Sequence, residues 1–598
     1  MDDMIMKKSL KCDLCVVGGG LSGSFAALAA ARHGAKVVLM QDRAMLGGNA
    51  SSEIRMWVRG ARGLFNRETG LISELEERNI HGNPTLVHSL FDATLYGMLT
   101  ENENITLLLN TTCVDAKTEG NRIISVKGWQ MTTYTWVTVE AKLFADCSGD
   151  SILAGLTGAE YRHGREGKDE FGESLAQNSA DSRTMGMSIL LAARETDSPV
   201  KFTPPSFANC YPDDSCFDPE LEKSVHALPR DHIVGTSKTN LWWVELGGEL
   251  HSIYDAEKMR DELLASIYGV WDHIKNHGDH GMENWDLEWV GFLPGKRESR
   301  RYVGDYIMTE KDLISGGDFE DEIAYGGWPI DDHNPYGMRK NPESNIASLS
   351  IELDGPYGIP LRSLYSKNIE NLCFAGRNIS VSHVALSSTR VMATCSLLGQ
   401  ALGSAVSVSV AKGISMREVA ADYYREVQKI LLDDGVFLPH HPRETSALTR
   451  SARVNLSDAE REILFNGIER PRAEGDENGI WQDLGDELCF EFDKKQSVGT
   501  LRLRFDPDFS RMSVSDNKKM RVFAMKLHTG KDFRPVRVAS SIVKSFAVYA
   551  DGREIWSTDS NYLSLLKIPL DVEAKEIKIK WHATNGAEKV HLFSADFI

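Results

Sequence analysis

The N-terminal segment carries the pattern that most constrains the fold. CDLCVVGGGLSGSFAALAAARHGAKVVLMQDR, residues 12–43, reads as an apolar strand, a glycine turn, a helix of small residues and a second apolar strand. Gly18, Gly20 and Gly23 have G-x-G-x-x-G spacing. In this setting Gly18 permits the tight turn, Gly20 lets the backbone approach a pyrophosphate, and Gly23 lets helix and strand pack closely. We therefore predict a dinucleotide-binding βαβ unit, with the amino end of the helix facing the phosphates.

Length and charge limit the remaining possibilities. A chain of 598 residues is too long for one core, so we expect several domains. The formal net charge is −19, from 67 basic and 86 acidic residues, and no long basic run occurs. This balance argues against a nucleic acid or an anionic membrane as partner. No stretch is expected to span a bilayer and no secretory leader is evident, so we predict a cytoplasmic protein.

The character of the sequence changes twice along the chain. Prolines, aromatic residues and irregular stretches appear after about residue 165, and short alternating strands separated by turns follow residue 445. We predict an α/β fold with a discontinuous Rossmann-like domain of residues 1–164 and 361–440. Residues 165–360 form an inserted α+β substrate or cap domain, and residues 445–598 form a C-terminal antiparallel β-sandwich.

A second glycine pair indicates which dinucleotide is bound. MLGGNASSEIRMW, residues 45–57, places this pair directly after the second strand, as if the backbone follows a long buried ligand. NAD needs no such loop, whereas FAD extends its ribityl chain and isoalloxazine ring into the protein. Downstream, NLCFAGRN and the helix that starts near Arg390 are placed to direct a helix dipole at the flavin. We therefore predict FAD.

These features together resemble the FAD-dependent oxidoreductases of the glutathione-reductase-like superfamily, and more closely a bacterial family of FAD-dependent oxidoreductases. The resemblance spans residues 12–412, and the C-terminal part resembles galactose-binding-like or discoidin-like modules. It implies non-covalent FAD, because the early glycine loop offers no histidine for a covalent link. The stretches that carry it are VVGGGLSGSFAALAAARHGAKVVLMQDR, LGGNASSEIR, FADCSGDSILAGLTGAEYRHGREGKDEFGESLA, GKRESRRYVGDY and FAGRNISVSHVALSSTRVMATCSLLGQALG.

The predicted cofactor residues lie in five parts of the chain. Gln41 can hydrogen-bond a ribose without a charge, with Asp42 as the second candidate, and the resemblance favours Gln41. The resemblance also implies that the backbone at Val114 meets the adenine and that the turn from Cys147 adjoins the flavin. The full set is Gly18, Gly20, Ser22, Gly23, Gln41, Asp42, Arg43, Gly47, Gly48, Asn49, Ala50, Ser51, Val114, Cys147, Ser148, Gly149, Asp150, Gly376, Arg377, Asn378 and Arg390.

Three residues are candidates for catalysis. His383 lies between the late strand and helix and is a candidate base for an alcohol oxidation. Arg377 is expected to touch the flavin or the substrate. Arg301, in GKRESRRYVGDY, either delivers a proton as in a fumarate-reductase-like reaction or belongs to an ion-pair network. His273, His277 and His280 lie in a polar stretch that reads as a solvated helix end, so no metal site is predicted.

Three functions remain open from the sequence. The first is FAD-dependent hydride abstraction from a hydroxyl of a polyhydroxylated substrate such as a sugar or glycoside, which implies a small-molecule substrate and an electron acceptor. The second is a fumarate-reductase-like reduction of an activated C=C bond or keto acid. The third is a non-catalytic flavin-bearing protein, with the sandwich as a binding or oligomer-forming module. The carbohydrate part rests on the resemblance alone.

Overall fold

A computed structural model describes residues 5–63, 65–216, 241–277, 280–339, 348–473, 475–509 and 535–598. These described residues divide into two compact units. The first contains the residues up to Ala61 together with Val87–Val427. The second contains Arg62–Leu86 and the described residues from Gln428 to Ile598.

A seven-stranded sheet forms the centre of the first unit. Four of its strands are parallel neighbours, a fifth short strand pairs in parallel with the end of the fourth, and two more extend the sheet in antiparallel fashion. The parallel strands are Ile105–Leu108, Val37–Met40, Met6–Val17, Thr135–Asp146 and Leu372–Phe374, and the antiparallel ones are Arg122–Gln130 and Thr111–Glu119.

The register of this sheet places four strand ends side by side. Val17 pairs with Met40 on one side and with Asp146 on the other, and Phe374 pairs with Asp146. The loops that follow these residues therefore leave the sheet at one edge, which is where parallel α/β sheets bind their ligands. This arrangement confirms the predicted α/β class with a Rossmann-like sheet.

Two helices pack closely beside this sheet. Leu21–Arg32 consists largely of small, buried residues and runs against the long helix Met392–Lys412. A β-carbon added to Gly399 would lie 2.0 Å from the Ser22 carbonyl oxygen, and one added to Gly403 would lie 2.4 Å from that of Ala26. The late glycines therefore serve helix packing.

The helix Met392–Lys412 is long and apolar enough to cross a membrane, contrary to the expectation that no stretch reaches that length. Its apolar window is 94% buried inside the protein. That burial is typical of a core helix, and its small residues are used in packing against Leu21–Arg32.

A four-stranded antiparallel sheet lies in the segment between residues 165 and 360. The amphipathic helix Ala256–Asn276 covers it, with a buried face that repeats every three to four residues. Met187–Glu195 is the central strand, paired with Leu241–Leu246, Trp285–Val290 and Gly295–Lys296.

The other elements of the first unit are short. The strands are Tyr161–Arg162, Arg301–Tyr302, Glu322–Gly326, Ile330–His333, Ser348–Ile351 and Tyr357–Pro360, and the helices are His88–Thr100, Ile152–Thr157, Lys168–Phe171, Glu310–Ser315, His383–Thr389 and Met416–Glu418. A π-helical turn, Val419–Tyr423, leads into the helix Tyr424–Asp433.

The second unit is built on an antiparallel sheet of seven strands. Its core is apolar and aromatic, with Phe490, Trp581 and Phe597 buried in it. The strands are Arg453–Val454, Ile480–Asp483, Glu487–Phe505, Val543–Ala550, Arg553–Thr558, Leu565–Thr584 and Lys589–Phe597, and the helices are Leu71–Gly82, Ala447–Ser451 and Asp458–Leu464. The predicted C-terminal antiparallel sheet is confirmed, while the sandwich assignment stays a prediction.

The helix Leu71–Gly82 belongs to this second unit although it lies early in the sequence. Its Glu77 carboxylate accepts hydrogen bonds from the backbone N–H of Ser564, at 3.0 Å, and from the Ser564 hydroxyl. A chain-order division into domains does not anticipate this insertion. The three predicted domain ranges therefore stay a proposal.

Candidate functional site

The first glycine turn leaves the sheet between two neighbouring loops. Gly18 has φ of 102°, and an added β-carbon would lie 2.6 Å from the backbone of Cys147. A β-carbon on Gly23 would lie 1.8 Å from the Gly18 carbonyl oxygen. Both glycines are therefore required by the packing of the turn itself.

Gly20 differs from these two glycines, because an added β-carbon would meet only the Gly48 Cα, at 3.9 Å. The protein leaves space over this position. Gly20 also precedes the helix Leu21–Arg32, whose N-cap receives no side-chain hydrogen bond. An open backbone surface at an uncapped helix start suits a phosphate group, whose oxygens accept from the first N–H groups. Ser22 lies in this first helical turn and is buried.

Gln41 follows the strand Val37–Met40 and is buried. Its carboxamide oxygen accepts from the Gly19 N–H at 2.7 Å, and its amide nitrogen donates to the Met45 carbonyl at 3.1 Å. It thus connects the two glycine loops. Asp42 and Arg43 form a half-exposed ion pair at 3.6 Å. The ribose-binding role of Gln41 stays a prediction.

The second glycine loop lies directly against the first. Gly47 has φ of 101° and donates its N–H to the Gly19 carbonyl at 2.8 Å, and it pairs with Gly20 as an isolated parallel bridge. The Asn49 amide donates to the Lys296 carbonyl at 3.1 Å. The loop continues through the short helical turn Gly48–Ala50 to a buried Ser51.

The turn at residues 147–150 is shaped by a buried carboxylate. Asp146 accepts from the Ser148 N–H at 2.9 Å and the Ser148 hydroxyl at 2.6 Å, and from the Tyr302 hydroxyl at 2.6 Å. Burial raises the pKa of Asp146 and also raises that of the Cys147 thiol, to about 12. Cys147 is therefore a protonated packing residue rather than a reactive thiolate.

Two positive charges meet Asp150 at the end of this turn. Its carboxylate accepts from Lys296 Nζ at 2.7 Å and from the Arg377 guanidinium at 3.0 Å. Burial opposes ionisation, but Lys296 and Arg377 outweigh it and lower the pKa of Asp150. A β-carbon on Gly149 would lie 2.7 Å from Arg377 Cζ, so the guanidinium lies flat against this turn.

The turn from Gly376 to Asn378 presents polar atoms that the described residues do not satisfy. Arg377 Nε and Asn378 Oδ1 are buried and have no hydrogen-bond partner there. Gly376 has φ of 113°, and a β-carbon on it would lie 3.4 Å from Ser22 Oγ. Unpartnered buried polar atoms beside an open glycine turn fit a polar cofactor that completes the hydrogen bonding.

Val114 lies in the strand Thr111–Glu119 and is 44% exposed. The pairing with the neighbouring strand skips it, because the register shifts between Cys113 and Asp115. Such an irregularity is compatible with the predicted backbone contact to an adenine. That contact stays a prediction.

His383 is clamped between two carboxylates. Its Nδ1 lies 3.0 Å from Glu298 Oε1 and its Nε2 lies 3.1 Å from Asp332 Oδ1. Burial disfavours the imidazolium, but Glu298 and Asp332 outweigh burial and raise the pKa of His383 to about 10. The ring is a cation at neutral pH, with both nitrogens engaged. In this state it cannot accept a proton, which bears directly on its predicted role as base.

Asp332 is the most accessible member of this triad. Its side chain is 16% exposed, against 3% for His383 and 0% for Glu298. Burial raises the pKa of Asp332, but the charge and hydrogen bond of His383 together with the charges of Arg165 and His333 outweigh burial and lower it, so the carboxylate stays ionised.

The strand Ile330–His333 carries charges on both faces. Asp331 and His333 share the face opposite Asp332, because side chains alternate along a strand. His333 lies 2.9 Å from Glu245 Oε2 and 3.3 Å from Asp331 Oδ2, and the Arg390 guanidinium donates to the Asp331 carbonyl at 3.0 Å. The strand thus takes part in two charge networks, one on each of its faces.

Arg301 is fully buried within ion pairs. It donates to Glu166 Oε1 at 3.0 Å, to the Val381 carbonyl at 3.1 Å and to the Gly164 carbonyl, and its Nε lies 3.7 Å from Glu298. This geometry matches the ion-pair alternative. Its proton-delivery role stays a prediction without a contact in its favour.

The charged residues of the strand Ile330–His333 are not among the site residues predicted from the sequence. Asp331, Asp332 and His333 follow the largely apolar run IAYGGWPI, and Glu245 is the next-to-last residue of the strand Leu241–Leu246. Three consecutive ionisable residues after an apolar strand were a visible signal, since buried charges require partners. Asp332 and His333 also have partners outside the strand, His383 and Glu245, which are 51 and 88 residues away in sequence, so no local spacing identifies them.

Several solved structures are similar to the chain. One is the p-nitrophenol 4-monooxygenase PnpA from Pseudomonas putida DLL-E4, with 11% identity over 72% of this chain and 91% of that chain and a TM-score of 0.31. Another is a geranylgeranyl bacteriochlorophyll reductase-like protein from Thermoplasma acidophilum, with 12% identity, 71% and 83% coverage and a TM-score of 0.30. A third is the E. coli quinol fumarate reductase FrdA, with 13% identity, 71% and 75% coverage and a TM-score of 0.26.

Comparison with protein families identifies the family of this chain, whereas comparison with curated sequences does not. No curated protein sequence matches the chain. A sequence model of one family, described as FAD dependent oxidoreductase, matches residues 13–431, which is more than half of the chain. The match contains both glycine loops, the turn at residues 147–150 and the turn from Gly376 to Asn378.

Proposed function

Because the chain belongs to the FAD dependent oxidoreductase family, we propose that it oxidises a hydroxyl of a polyhydroxylated small molecule such as a sugar or glycoside. FAD is the cofactor, and when bound it supplies the hydride acceptor. We also propose that it is held without a covalent link. An electron acceptor must then reoxidise it.

The cofactor is proposed to lie along the edge of the sheet where the strand ends meet. The N–H groups beside Gly20 and Ser22 would bind its phosphates. The unpartnered atoms of Arg377 and Asn378 would bind its polar groups at the other end. The remaining predicted residues from Gly47 to Asp150 would line the space between them.

Gly20→Ala should weaken FAD binding at least about tenfold while leaving the folded protein intact. Among the described residues the added methyl group meets only Gly48, at 3.9 Å, so we expect the variant to fold. The same methyl occupies space proposed for the pyrophosphate. The measurement is FAD affinity of the deflavinated full chain by quenching of flavin fluorescence, with circular dichroism as the check on folding.

The matched control for this variant is Gly97→Ala. Gly97 lies within the helix His88–Thr100, and an added β-carbon there meets nothing within 4 Å. We expect unchanged FAD affinity. Equal affinities in wild type, Gly20→Ala and Gly97→Ala would rule out the pyrophosphate position.

One observation carries the proposed chemistry, namely the clamped His383 cation that keeps Asp332 ionised and partly accessible. We propose that Asp332, rather than His383, takes the substrate hydroxyl proton as the C–H hydride leaves. The C–O single bond would become a double bond in that step, so a carbonyl compound and a protonated Asp332 would form, and the bound FAD would supply the acceptor for the hydride. His383 is then a positioning residue, held by Glu298.

The contacts of Arg301 give the reductase alternative no support. Its terminal nitrogens donate to a carboxylate and to backbone carbonyls, and the side chain is 1% exposed. A proton donor to a substrate must reach the reacting atom. The hydroxyl-oxidation proposal therefore remains the better supported one.

The test is anaerobic mixing of the FAD-loaded protein with a panel of sugars and glycosides while the flavin absorption is recorded. Bleaching by a member of the panel is the expected result. Flavin bands that persist with every sugar but disappear with dithionite, followed by reoxidation with an activated alkene or keto acid, would overturn it in favour of the reductase. Reducible flavin with no response to either panel would favour the non-catalytic alternative.

For the second unit we propose a galactose-binding-like module that binds a glycan or forms an oligomer contact. The support is the resemblance and the observed antiparallel sheet. Glycan-array binding by the full chain tests it, and no bound glycan together with a monomeric mass in solution would contradict it.

A further inference from the structure

Two histidines and a carboxylate, none of them a predicted flavin-binding residue, converge at the end of the helix Ala256–Asn276. His273 Nε2 lies 2.9 Å from Asp214 Oδ1 and 3.0 Å from His280 Nε2, and His280 Nε2 lies 3.6 Å from the same Asp214 oxygen. We call Asp214, His273 and His280 the His–Asp cluster. The three ligand atoms form a small triangle of metal-binding size. Tetrahedral zinc with bonds of about 2.0–2.1 Å places its ligand atoms about 3.3 Å apart.

The hydrogen bond made by His273 Nδ1 determines which nitrogen of the ring carries a proton. Its Nδ1 lies 2.8 Å from the Tyr211 carbonyl, which can only accept a hydrogen bond. Nδ1 therefore carries a proton, and the neutral ring has its lone pair on Nε2, directed into the His–Asp cluster. A backbone carbonyl on the outer nitrogen is the usual partner of a metal-ligating histidine, because it fixes both tautomer and ring orientation.

The cluster holds electron-rich atoms close together. His273 Nε2 and Asp214 Oδ1 are both lone-pair-bearing atoms, and their separation of 2.9 Å is a contact that a cation between them would hold together. A proton is one such cation. His280 Nε2 also lies 3.1 Å from the His277 carbonyl, so a proton on His280 could be shared there instead. A divalent metal ion satisfies all three ligand atoms at once.

Burial favours a well-defined site with one open position. The His273 side chain is 1% exposed and that of His280 is 6% exposed, whereas that of Asp214 is 64% exposed. His273 lies in the last turn of the helix Ala256–Asn276, which is packed on its sheet. The exposed Asp214 carboxylate gives solvent access to the cluster on its side, as far as the described residues show.

We propose that the His–Asp cluster binds one divalent transition-metal ion, with zinc the preferred ion and water as the fourth ligand. Two imidazoles with one carboxylate form a ligand set that zinc accepts. The ion would join the turn Asp214–Cys216 to the end of the helix Ala256–Asn276. No metal site is predicted from the sequence because the stretch around His273, His277 and His280 is polar and reads as a solvated helix end, although His273 and His277 are spaced i, i+4. In the structure His273 and His280 are buried, and the His277 ring, beyond the helix end, faces Asp272 at 3.2 Å instead.

The test uses the full FAD-loaded chain, without a histidine tag and freed of metal by a chelator. Co²⁺ is titrated as a spectroscopic substitute for zinc, and Zn²⁺ affinity is then measured by competition. We expect one Co²⁺ per chain with the visible absorption of a tetrahedral nitrogen and oxygen site. Asp214→Asn should weaken binding about 100-fold or more, since loss even of an outer-shell partner costs 10- to 100-fold.

The matched control is His277→Ala, which removes a neighbouring imidazole outside the cluster and should bind like wild type. Asp214 is exposed, so its variant should fold, and an unchanged flavin spectrum checks this. Three results would overturn the proposal: no stoichiometric binding, which assigns the cluster to a shared proton; equal losses in the two variants; or a thiolate-to-cobalt band, which assigns the ion to Cys210 or Cys216.

Discussion

Replacing Asp332 by Asn should slow substrate-driven flavin reduction by about 10²- to 10⁴-fold, the usual contribution of a positioned general base. The amide keeps the size of the side chain and can still accept from His383, so FAD binding should be unchanged. It cannot take the hydroxyl proton. The measurement is the rate of flavin bleaching in anaerobic stopped flow, with the substrate that emerges from the sugar panel.

The pH dependence of stability tests the charge coupling between Asp332 and His383. The pKa of His383 is raised, so its contribution to stability is fully present below its unfolded value of about 6.5 and is lost as the pH rises through about 10. Loss of the Asp332 charge removes one of the two carboxylates that raise it. In Asp332→Asn the alkaline loss of thermal stability should therefore begin at lower pH than in wild type.

Asp286→Asn is the control for the same chemical change, since Asp286 pairs with the exposed Arg194 on another strand. We expect no change in its reduction rate. A wild-type rate in Asp332→Asn together with a loss of 10²-fold or more in His383→Gln would return the role of base to His383.

Arg301→Leu should cost about 3–5 kcal/mol of folding free energy in the flavin-binding unit, because it leaves buried carboxylates without their cation. Burial opposes ionisation of Glu166, and the charge and hydrogen bonds of Arg301 together with those of His383 overcome burial and lower the pKa of Glu166. Glu298 loses the same neighbour at 3.7 Å. Thermal unfolding, followed by the rise in flavin fluorescence on release, would show the loss.

Arg417→Leu is the matched control, because it removes one partner of an exposed ion pair. Arg417 binds Asp305 through two nitrogens at 2.6 and 2.7 Å, but its side chain is 51% exposed. Surface pairs contribute about 0–1 kcal/mol, so this variant should unfold close to wild type. Equal stability of the two leucine variants would contradict the buried-network interpretation.

Arg301→Lys separates stability from proton delivery. It retains the charge, so we expect partial recovery of stability and near-normal flavin reduction. A variant that is stable but inactive in reducing an activated alkene would instead support proton delivery by Arg301.

Local sequence determined the cofactor-binding turn. Gly18, Gly20 and Gly23 act over a few residues, and strand, turn and helix follow each other directly along the chain. Glycine is required there by the backbone conformation and by close contacts, and the spacing of the glycines in the sequence indicates both. The same reason explains why the α/β class and FAD could be predicted.

The acid–base centre could be predicted only in part. His383 was found because it follows the late glycine turn, but its charge state depends on Glu298 and Asp332, which are 85 and 51 residues away. A pKa responds to charges within a few ångströms in space, whatever their distance along the chain.

The His–Asp cluster, too, could be predicted only in part from the sequence. Spacing along a helix suggested His277 as the partner of His273, whereas the fold places Asp214, 59 residues away, against the ring. By itself the sequence determined the turns and periodicities that arise from neighbouring residues. Only the tertiary structure decided which ionisable groups meet, because electrostatic and ligand contacts depend on through-space distance.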